Sequence, residues 1–354
     1  MSQIPEPFKV AVIGCGGIAN EHLPFLASSL LVKLVGVCDI SNATAAFAKK
    51  RFEAERSFSD ASEMLAKTNP EIVHVLTPPQ SHTRLVSMCL NSGAHVICEK
   101  PMTSSASETA SLLALAKEKG KVLIESRNLL FNDVVLKMNQ LISNGTLGQV
   151  REIDLLLALD LNAGPFGDLN LEGPGVDLPG GAVHDFLPHL AYLFLHFADF
   201  AGPVDNVCGS VENRSGNARI GFDHLDALVT AGHCRGRLRI ASDIKPDMFR
   251  LIVRGTKATV ETDFYGPFMR IQLSRDSGKM APFEQMRSGI RLARSGFGNL
   301  RDKVMQHGTY HGFPRMLSAI YEGLSTSGAM PITPEDIAAT AALVDRLIDL
   351  RNAR

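Results

Sequence analysis

A chain of 354 residues is long for one hydrophobic core, and two domains are the default expectation. Its composition, 45% hydrophobic and 21% charged with a formal net charge of −1, is that of a soluble globular protein, and it gives no electrostatic reason for nucleic acid or an anionic membrane as the main partner. Met1 to Val10 is polar and proline-containing, without the charged-then-apolar pattern of a secretory leader.

The elements follow in chain order. FKVAVIG (8–14) is a β-branched apolar run ending in glycine, and IANEHLPFLASS after it has helical periodicity. LVKLVGVCD (31–39) and SNATAAFAKKRF repeat the alternation, as do EIVHVLTP (71–78) with SHTRLVSMCLNSG, HVICEKP with SASETASLLALAKEKG, and a closing KVLIESR (121–127). Nearly continuous apolar strands separated by helices predict a parallel sheet covered on both faces, hence an α/β, doubly wound Rossmann domain. The six cysteines, Cys15, Cys38, Cys89, Cys98, Cys208 and Cys234, make no C-x-x-C or knuckle spacing and read as reduced structural thiols of a cytoplasmic protein.

The first strand-to-helix turn, GCGGIA, places Gly14, Gly16 and Ala19 at G-x-G-x-x-A spacing, with Gly17 and Ile18 between them. Glycine is needed where the chain turns tightly and where backbone meets a pyrophosphate, and the small residue at 19 lets helix and strand pack closely. Asp39 ends the second strand at the spacing of a carboxylate that holds an adenosine ribose, and Ile40 after it offers no cation for a 2′-phosphate. The turn predicts dinucleotide binding, with NAD favoured over NADP.

Another stretch, Ile97-Cys98-Glu99-Lys100-Pro101, ends an apolar strand on a carboxylate, a lysine and a proline. Proline biases the residue before it away from helix, so Lys100 is held extended at a strand end. With GCGGIANEH, VLTPPQSH (75–82), ESRNLLFN (125–132), GTLGQV (145–150) and GGAVHDFLPHL (180–190) in order, the chain resembles the Gfo/Idh/MocA oxidoreductases over almost its whole length. The resemblance implies that Gly14, Gly16 and Ala19 form the phosphate turn and that Asp39 holds the adenosine ribose. Thr77 and Pro78 would lie against the ribose, with His82 starting the next helix. It also implies that Glu99 and Lys100 face the nicotinamide end, with a cis Lys100–Pro101 bond. Arg127 would stand near the cofactor, although Asn128 follows where a bulky apolar residue is more usual. Asp185 and His189 would be the family's D-x-x-x-H pair beside the substrate.

Read from residues alone, GGAVHDFLPHLAYLFLHF starts with a flexible Gly180-Gly181 and continues as a helix whose first turn tolerates Pro188, so that Asp185 and His189 share one face and His196 continues it deeper. Asp185 as a carboxylate stabilised by the helix dipole, and His189 as a satisfied core histidine, are the structural readings beside the functional ones. The D-x-x-x-H spacing would allow two metal ligands, but no third partner suggests itself and no metal site is expected. The apolar stretch that contains the pair is broken by Pro188, His189, His196 and Asp199, which makes it a buried helix and not a membrane span.

The second half reads as α+β. VREIDLLLALDLN (150–162) alternates leucines, and RLRIASDI, FRLIVRGT and KATVETDF add strands of an open, mainly antiparallel sheet. The mixed, leucine-rich second face predicts a partner sheet, so a homodimer or homotetramer. Thr333, Pro334 and the acids after them start a C-terminal helix. The expected division is a Rossmann domain over 1–128, a substrate and oligomerisation domain over 129–330, and a final helix over 331–354 packing back on the first. Two stretches are particular to this chain: the loop 162–181, a candidate lid, and Arg287, Arg291 and Arg294 on one helical face, either a solvated cationic face or a phosphate contact.

Together these predict an NAD-dependent dehydrogenase acting on a secondary alcohol of a sugar, cyclitol or nucleotide-sugar. His189 is assigned as proton acceptor, Lys100 as the group that polarises the oxygen, and Asp185 as holder of a substrate hydroxyl; the sequence leaves the reverse assignment of Lys100 and His189 open. Two other readings compete: a redox-assisted glycoside hydrolase with tightly held NAD, and a non-catalytic NAD-binding sugar sensor.

Overall fold

The computed structural model describes residues 6–163, 177–273, 281–304, 312–326 and 328–352, with all their side chains except those of residues 284 and 302–304. Most of the candidate lid, 164–176, lies outside the described residues. The chain runs β1 (Phe8–Ile13), α1 (Ala19–Ser28), β2 (Val32–Cys38), α2 (Asn42–Arg51), β3 (Ser57–Phe58), α3 (Ala61–Thr68), β4 (Ile72–Val75), α4 (His82–Asn91), β5 (His95–Cys98), α5 (Ala106–Glu118), β6 (Leu123–Glu125) and α6 (Asp133–Ser143). It continues through β7 (Val150–Ala158), α7 (Leu187–Ala198), β8 (Asn206–Glu212), β9 (His224–Ala231), β10 (Cys234–Ala241), β11 (Met248–Gly255), β12 (Ala258–Asp263) and β13 (Arg270–Leu273), and ends with α8 (Ala281–Val304), α9 (Phe313–Thr326) and α10 (Pro334–Asp349).

Two compact units result, Met1–Asn128 with Gly312–Ala341, and Leu129–His311 with Ala342–Arg354. Residues 312–330, read from sequence with the second domain, therefore fall in the first unit. Nothing local in that stretch says which core its apolar face will join.

The first unit holds a six-stranded sheet in the order β3-β2-β1-β4-β5-β6, every pair parallel. Strand order reverses between β1 and β4, and in such sheets the crevice at the strand carboxyl ends beside that reversal is where ligands bind. Val10, Ala11, Val12, Ile72, Val73, Val75, Val96 and Ile97 are almost wholly buried, as strands covered on both faces require. The helices start where side chains can cap them. Ser41, Asp60 and Ser105 accept the N–H groups of Thr44, Glu63 and Glu108, and Thr333 and Asp336 cap each other at the start of α10. The start of α1 differs: no side chain caps it.

The second unit holds a seven-stranded sheet, β13-β12-β11-β7-β10-β9-β8, antiparallel except where β7 runs parallel to β10. Ile153, Leu155 and Leu157 of β7 are buried, and α7 packs on β7 and β10 through an apolar stripe that includes Leu190, Tyr192 and Phe194. A Cβ at Gly236 of β10 would collide with the Phe194 ring, so the strand admits the helix only because no side chain stands there. Burying each such large side chain stabilises the unit by about 1.5–3 kcal/mol.

Candidate active site

In the first unit the sequence-predicted residues gather at the carboxyl ends of β1, β2, β4 and β5. Gly14 has φ +95°, and a Cβ there would lie 2.7 Å from the Leu76 carbonyl carbon and 2.9 Å from the Thr77 nitrogen, so only glycine fits between β1 and β4. At Gly16 and Gly17 an added Cβ would meet nothing within 4 Å. This is the cradle a pyrophosphate requires: bare backbone facing open space at the start of an uncapped helix. The residues present fit a dinucleotide. Asp39 is fixed just beyond β2 by two backbone donors, the N–H of Cys15 to Oδ2 and that of Ser41 to Oδ1, both 2.9 Å. Burial and then Asp39 push the Cys15 thiol up to about 12, so it stays protonated and is no nucleophile.

Thr77 follows β4, its Oγ1 2.6 Å from Ser81 Oγ, and Pro78 leads into a 3-10 turn before α4 begins at His82. The His82 ring is buried between β4 and β5: Nε2–H donates to the Thr77 carbonyl at 2.7 Å, and Nδ1 lies 3.1 Å from the Pro101 carbonyl. Desolvation lowers its pKa, although those backbone contacts oppose it. The Lys100–Pro101 bond is cis. Glu99 is buried, and its Oε2 accepts the backbone N–H of Lys100 at 3.3 Å.

Behind Glu99 runs a chain of buried polar groups that no single stretch of sequence reveals. His22 Nε2 lies 2.9 Å from Glu99 Oε1, His22 Nδ1 lies 3.0 Å from His74 Nδ1, and His74 Nε2 lies 2.9 Å from Tyr321 Oη. Phe313 stands edge-on to His22. Burial of Glu99 pushes its carboxyl up, but the hydrogen bond and charge of His22, with Lys100, outweigh it and the group ends below its ordinary range. Burial, with His22 beside it, lowers His74 far below the ordinary imidazole range, so His74 is neutral and carries one N–H. Two orders satisfy every contact. In one, Tyr321 O–H donates to His74 Nε2, His74 Nδ1–H to His22 Nδ1, and His22 Nε2–H to the Glu99 carboxylate; in the other, His22 donates from both ring nitrogens, to His74 Nδ1 and to Glu99, and His74 Nε2–H donates to Tyr321.

Arg127 is buried and tied within the same unit. Its Nε donates to Glu125 Oε2 at 3.0 Å and its Nη2 to the Asp336 carbonyl at 3.1 Å, at the start of α10. Glu125 Oε1 in turn accepts the Met102 N–H just past the Lys100–Pro101 bond.

In the second unit the Asp185/His189 pair is arranged differently from the single helical face expected. Gly181 to Asp185 form a 3-10 turn, and α7 begins only at Leu187, with Pro188 in its first turn. Asp185 thus ends the turn before the helix and His189 lies in the first turn of α7, so the two stand on different elements. Gly181 is not a flexible hinge. It has φ +66°, and a Cβ would lie 2.5 Å from the Ile220 carbonyl oxygen. His189 is half-buried, Nδ1 2.7 Å from the hydroxyl of buried Tyr192 one turn on. Tyr192 was not singled out in the sequence, though its spacing of three from His189 was a readable sign. His196 is exposed, not deeper, and contacts Asn139 Oδ1 at 2.9 Å. Beside the pair, burial pulls His184 down to about 4, against Asp185 and with Arg351 adding to it. Among the described residues no cluster of His, Cys, Asp or Glu could hold a metal ion. All six cysteines are free.

The fold and the open glycine turn define an NAD(P)-binding Rossmann protein. Residues 8–126 match the oxidoreductase family described by its NAD-binding Rossmann fold, GFO_IDH_MocA. Over this domain, about a third of the chain, the sequence is similar to the Gfo/Idh/MocA oxidoreductases. It is 28% identical over 200 residues to dTDP-3,4-didehydro-2,6-dideoxy-α-D-glucose 3-reductase of Saccharopolyspora spinosa, covering 56% of this chain and 58% of that protein. To D-glucoside 3-dehydrogenase of Escherichia coli it is 28% identical over 146 residues, 41% of this chain and 42% of that one. The chain thus spans about half the length of the curated relatives it matches. The fold of the whole chain resembles that of the WlbA dehydrogenase of Bordetella pertussis, solved with NADH and UDP-GlcNAcA, at a TM-score of 0.80, 17% identity, and coverage of 99% and 97%.

Proposed function

We propose that this chain is an NAD-dependent oxidoreductase that moves hydride between nicotinamide and a secondary alcohol of a sugar, with a nucleotide-linked sugar as the preferred class. The observation that carries it is the strand-end arrangement of the first unit: an open glycine cradle, and Lys100 beside a buried, ionised Glu99. The two 3-position sugar enzymes among the relatives support the sugar class; one of them is named for a dTDP-sugar, and the WlbA dehydrogenase was solved with UDP-GlcNAcA.

Gly14, Gly16, Gly17, Ile18 and Ala19 would hold the pyrophosphate and Asp39 the adenosine ribose, with Thr77, Pro78 and His82 shaping the wall beside it. Ile40, 96% exposed after Asp39, adds no cation, and a 2′-phosphate would meet a carboxylate, which favours NAD over NADP. NAD when bound supplies the hydride acceptor. Lys100 orients and polarises the substrate oxygen. His189 accepts its proton at Nε2, which requires that Nδ1–H donate to the Tyr192 oxygen; the opposite order would leave Nε2 already protonated. Asp185 holds a neighbouring hydroxyl. Arg127, bound to Glu125 and Asp336, supports the wall and does not itself do chemistry.

The same reading places the chain in the cytoplasm as a homodimer or homotetramer formed through the second unit's sheet, whose outer face exposes Leu228 among paired charges. Sedimentation of the purified chain reads that state directly. Among the described residues no helix is long and apolar enough to cross a membrane.

The test is near-ultraviolet absorbance with NAD and a panel of sugars, inositols and nucleotide-linked sugars, beside Lys100→Met. NADH appearing with one substrate and falling by about 10²–10⁴-fold in the variant is the expected result. Glycoside cleavage without net NADH would replace the reading by a closed redox cycle. A ligand-induced melting shift with no turnover would replace it by a sensor.

A further inference from the structure

Helix α8 is amphipathic the wrong way round. Its sequence repeats apolar residues at 283, 286, 290, 293, 297, 300 and 304, alternating steps of three and four that draw one stripe along a helix. A surface helix normally turns such a stripe toward the core. Here Phe283, Met286, Ile290, Phe297 and Leu300 are 55–76% exposed. The half-buried side is polar: Ser288, Arg291, Ser295 and Asn299. Asn299 Nδ2 donates to the Pro267 carbonyl at 2.9 Å, and Arg291 Nη2 to Ser288 Oγ at 3.0 Å. Between the helix and β11–β13 lies a cavity of about 480 Å³, lined by Ser288, Gly289 and Leu292 of the helix and by Arg250, Glu261 and Phe268, its walls apolar as well as charged. The helix is not packed to fill a core.

Charge says what meets the stripe. Arg287, Arg294 and Arg301 are exposed and stand seven residues apart, each one position past Met286, Ala293 or Leu300, so a row of guanidinium groups borders the apolar stripe along its length. The helix carries Arg287, Arg291, Arg294, Arg301 and Lys303 against Glu284 and Asp302. A second copy of the helix laid antiparallel would bring arginine row against arginine row. Laid parallel, it would offer those arginines mainly Gly289 and Gly296. Neither orientation supplies an acid. At 24 residues the helix is about 36 Å long, and its exposed stripe runs along one side, so a flat surface can touch the whole stripe at once. Long arginine stems can lie along the apolar stripe while their heads reach outward to anions.

We propose that α8 is an interfacial helix that seats this chain on an anionic lipid surface, its Phe283/Met286/Ile290/Phe297/Leu300 stripe entering the headgroup boundary and Arg287, Arg294 and Arg301 contacting lipid phosphates. Such a helix lies in the plane of the membrane and spans nothing. The inference is independent of the proposed hydride transfer.

The experiment is flotation of the full chain with vesicles of phosphatidylcholine alone, and with vesicles of equal parts phosphatidylcholine and phosphatidylglycerol. The chain is expected to float with the anionic vesicles only. Phe297→Glu should weaken that partitioning by about ten-fold or more. Arg287→Gln with Arg294→Gln should weaken it by roughly five-fold per arginine, and raised salt should weaken the wild type in the same direction. All three residues are exposed, and unchanged thermal unfolding of each variant shows that it is folded. Failure to float with anionic vesicles overturns the proposal, as does equal flotation of wild type and Phe297→Glu. So does a lipid-free dimer that Phe297→Glu dissolves while vesicles are ignored, because the occupant would then be a second copy. Retention on an acidic peptide without flotation would assign the stripe to a protein partner and overturn it equally.

Discussion

The two units treat many of their ionisable side chains in different ways. In the first, His22, His74, Glu99, Glu125 and Arg127 are buried and linked through hydrogen bonds that converge behind Lys100. In the second, many charges are exposed and paired: Arg237 with Asp226 and Arg254 with Glu152 and Asp154 across neighbouring strands, and Arg214 with Glu212 and Asp243 at or beyond the strand ends. Both arrangements look alike as lists of partners. They differ in what removal costs. A buried ion whose partner is deleted keeps its desolvation penalty with nothing to offset it, whereas an exposed one returns to water.

The sharpest way to break this comparison is to remove one arginine from each unit. Arg127→Met strands the buried Glu125 carboxylate and the Asp336 carbonyl, and should cost about 3–5 kcal/mol in urea unfolding. Arg237→Met, in an exposed pair, should cost less than about 1 kcal/mol. Similar losses for both would mean that burial does not separate the two units.

A smaller effect comes from His184, a buried titratable group of the second unit that departs far from its usual range. His184 titrates near 6.5 when unfolded and near 4 when folded. Between those values the unfolded chain takes up a proton that the folded chain refuses. Stability is therefore complete above pH 6.5 and falls as pH drops toward 4, by up to about 3 kcal/mol. His184→Phe should flatten that slope. A slope unchanged in the variant would show that other groups carry it.

The least disruptive measurement sharpens the first unit's side of the comparison. Nitrogen chemical shifts of labelled histidines report which ring nitrogen bears the proton. The donor order running toward Glu99 requires His74 as its Nδ1–H form; finding Nε2–H would mean that the chain runs the other way, with a charged His22 donating to both neighbours.

Much of the first unit was legible because its signals are local. The glycine turn, Asp39 and the strand-ending EKP each announce themselves within a few residues, and the strands between them alternate with helices plainly. The relay behind Glu99 was not legible, since its contacts join residues 77, 52 and 247 positions apart. Nor did the sequence reveal that Phe313 and Tyr321 belong with the first core. In the second unit, Pro188 was a sufficient sign that α7 starts at 187, and so that Asp185 lies before it; the D-x-x-x-H spacing invited the simpler picture of one helical face. The periodicity of α8 was legible too, but only structure shows that its apolar side faces outward. Arg291 turns partly inward while Arg301 joins Arg287 and Arg294, so the exposed row is not the triplet first read.

The division of the first unit into Met1–Asn128 and Gly312–Ala341 has a consequence for synthesis. A ribosome delivers the parallel sheet early, yet Tyr321 and Phe313, which cover His74 and His22, emerge only after all of Leu129–His311 has been made. Until then the nascent nucleotide-binding core carries an open flank with two imidazoles and apolar surface facing water. Its last layer arrives from the far end of the message, so a chain terminated early in the second unit yields an incomplete first one.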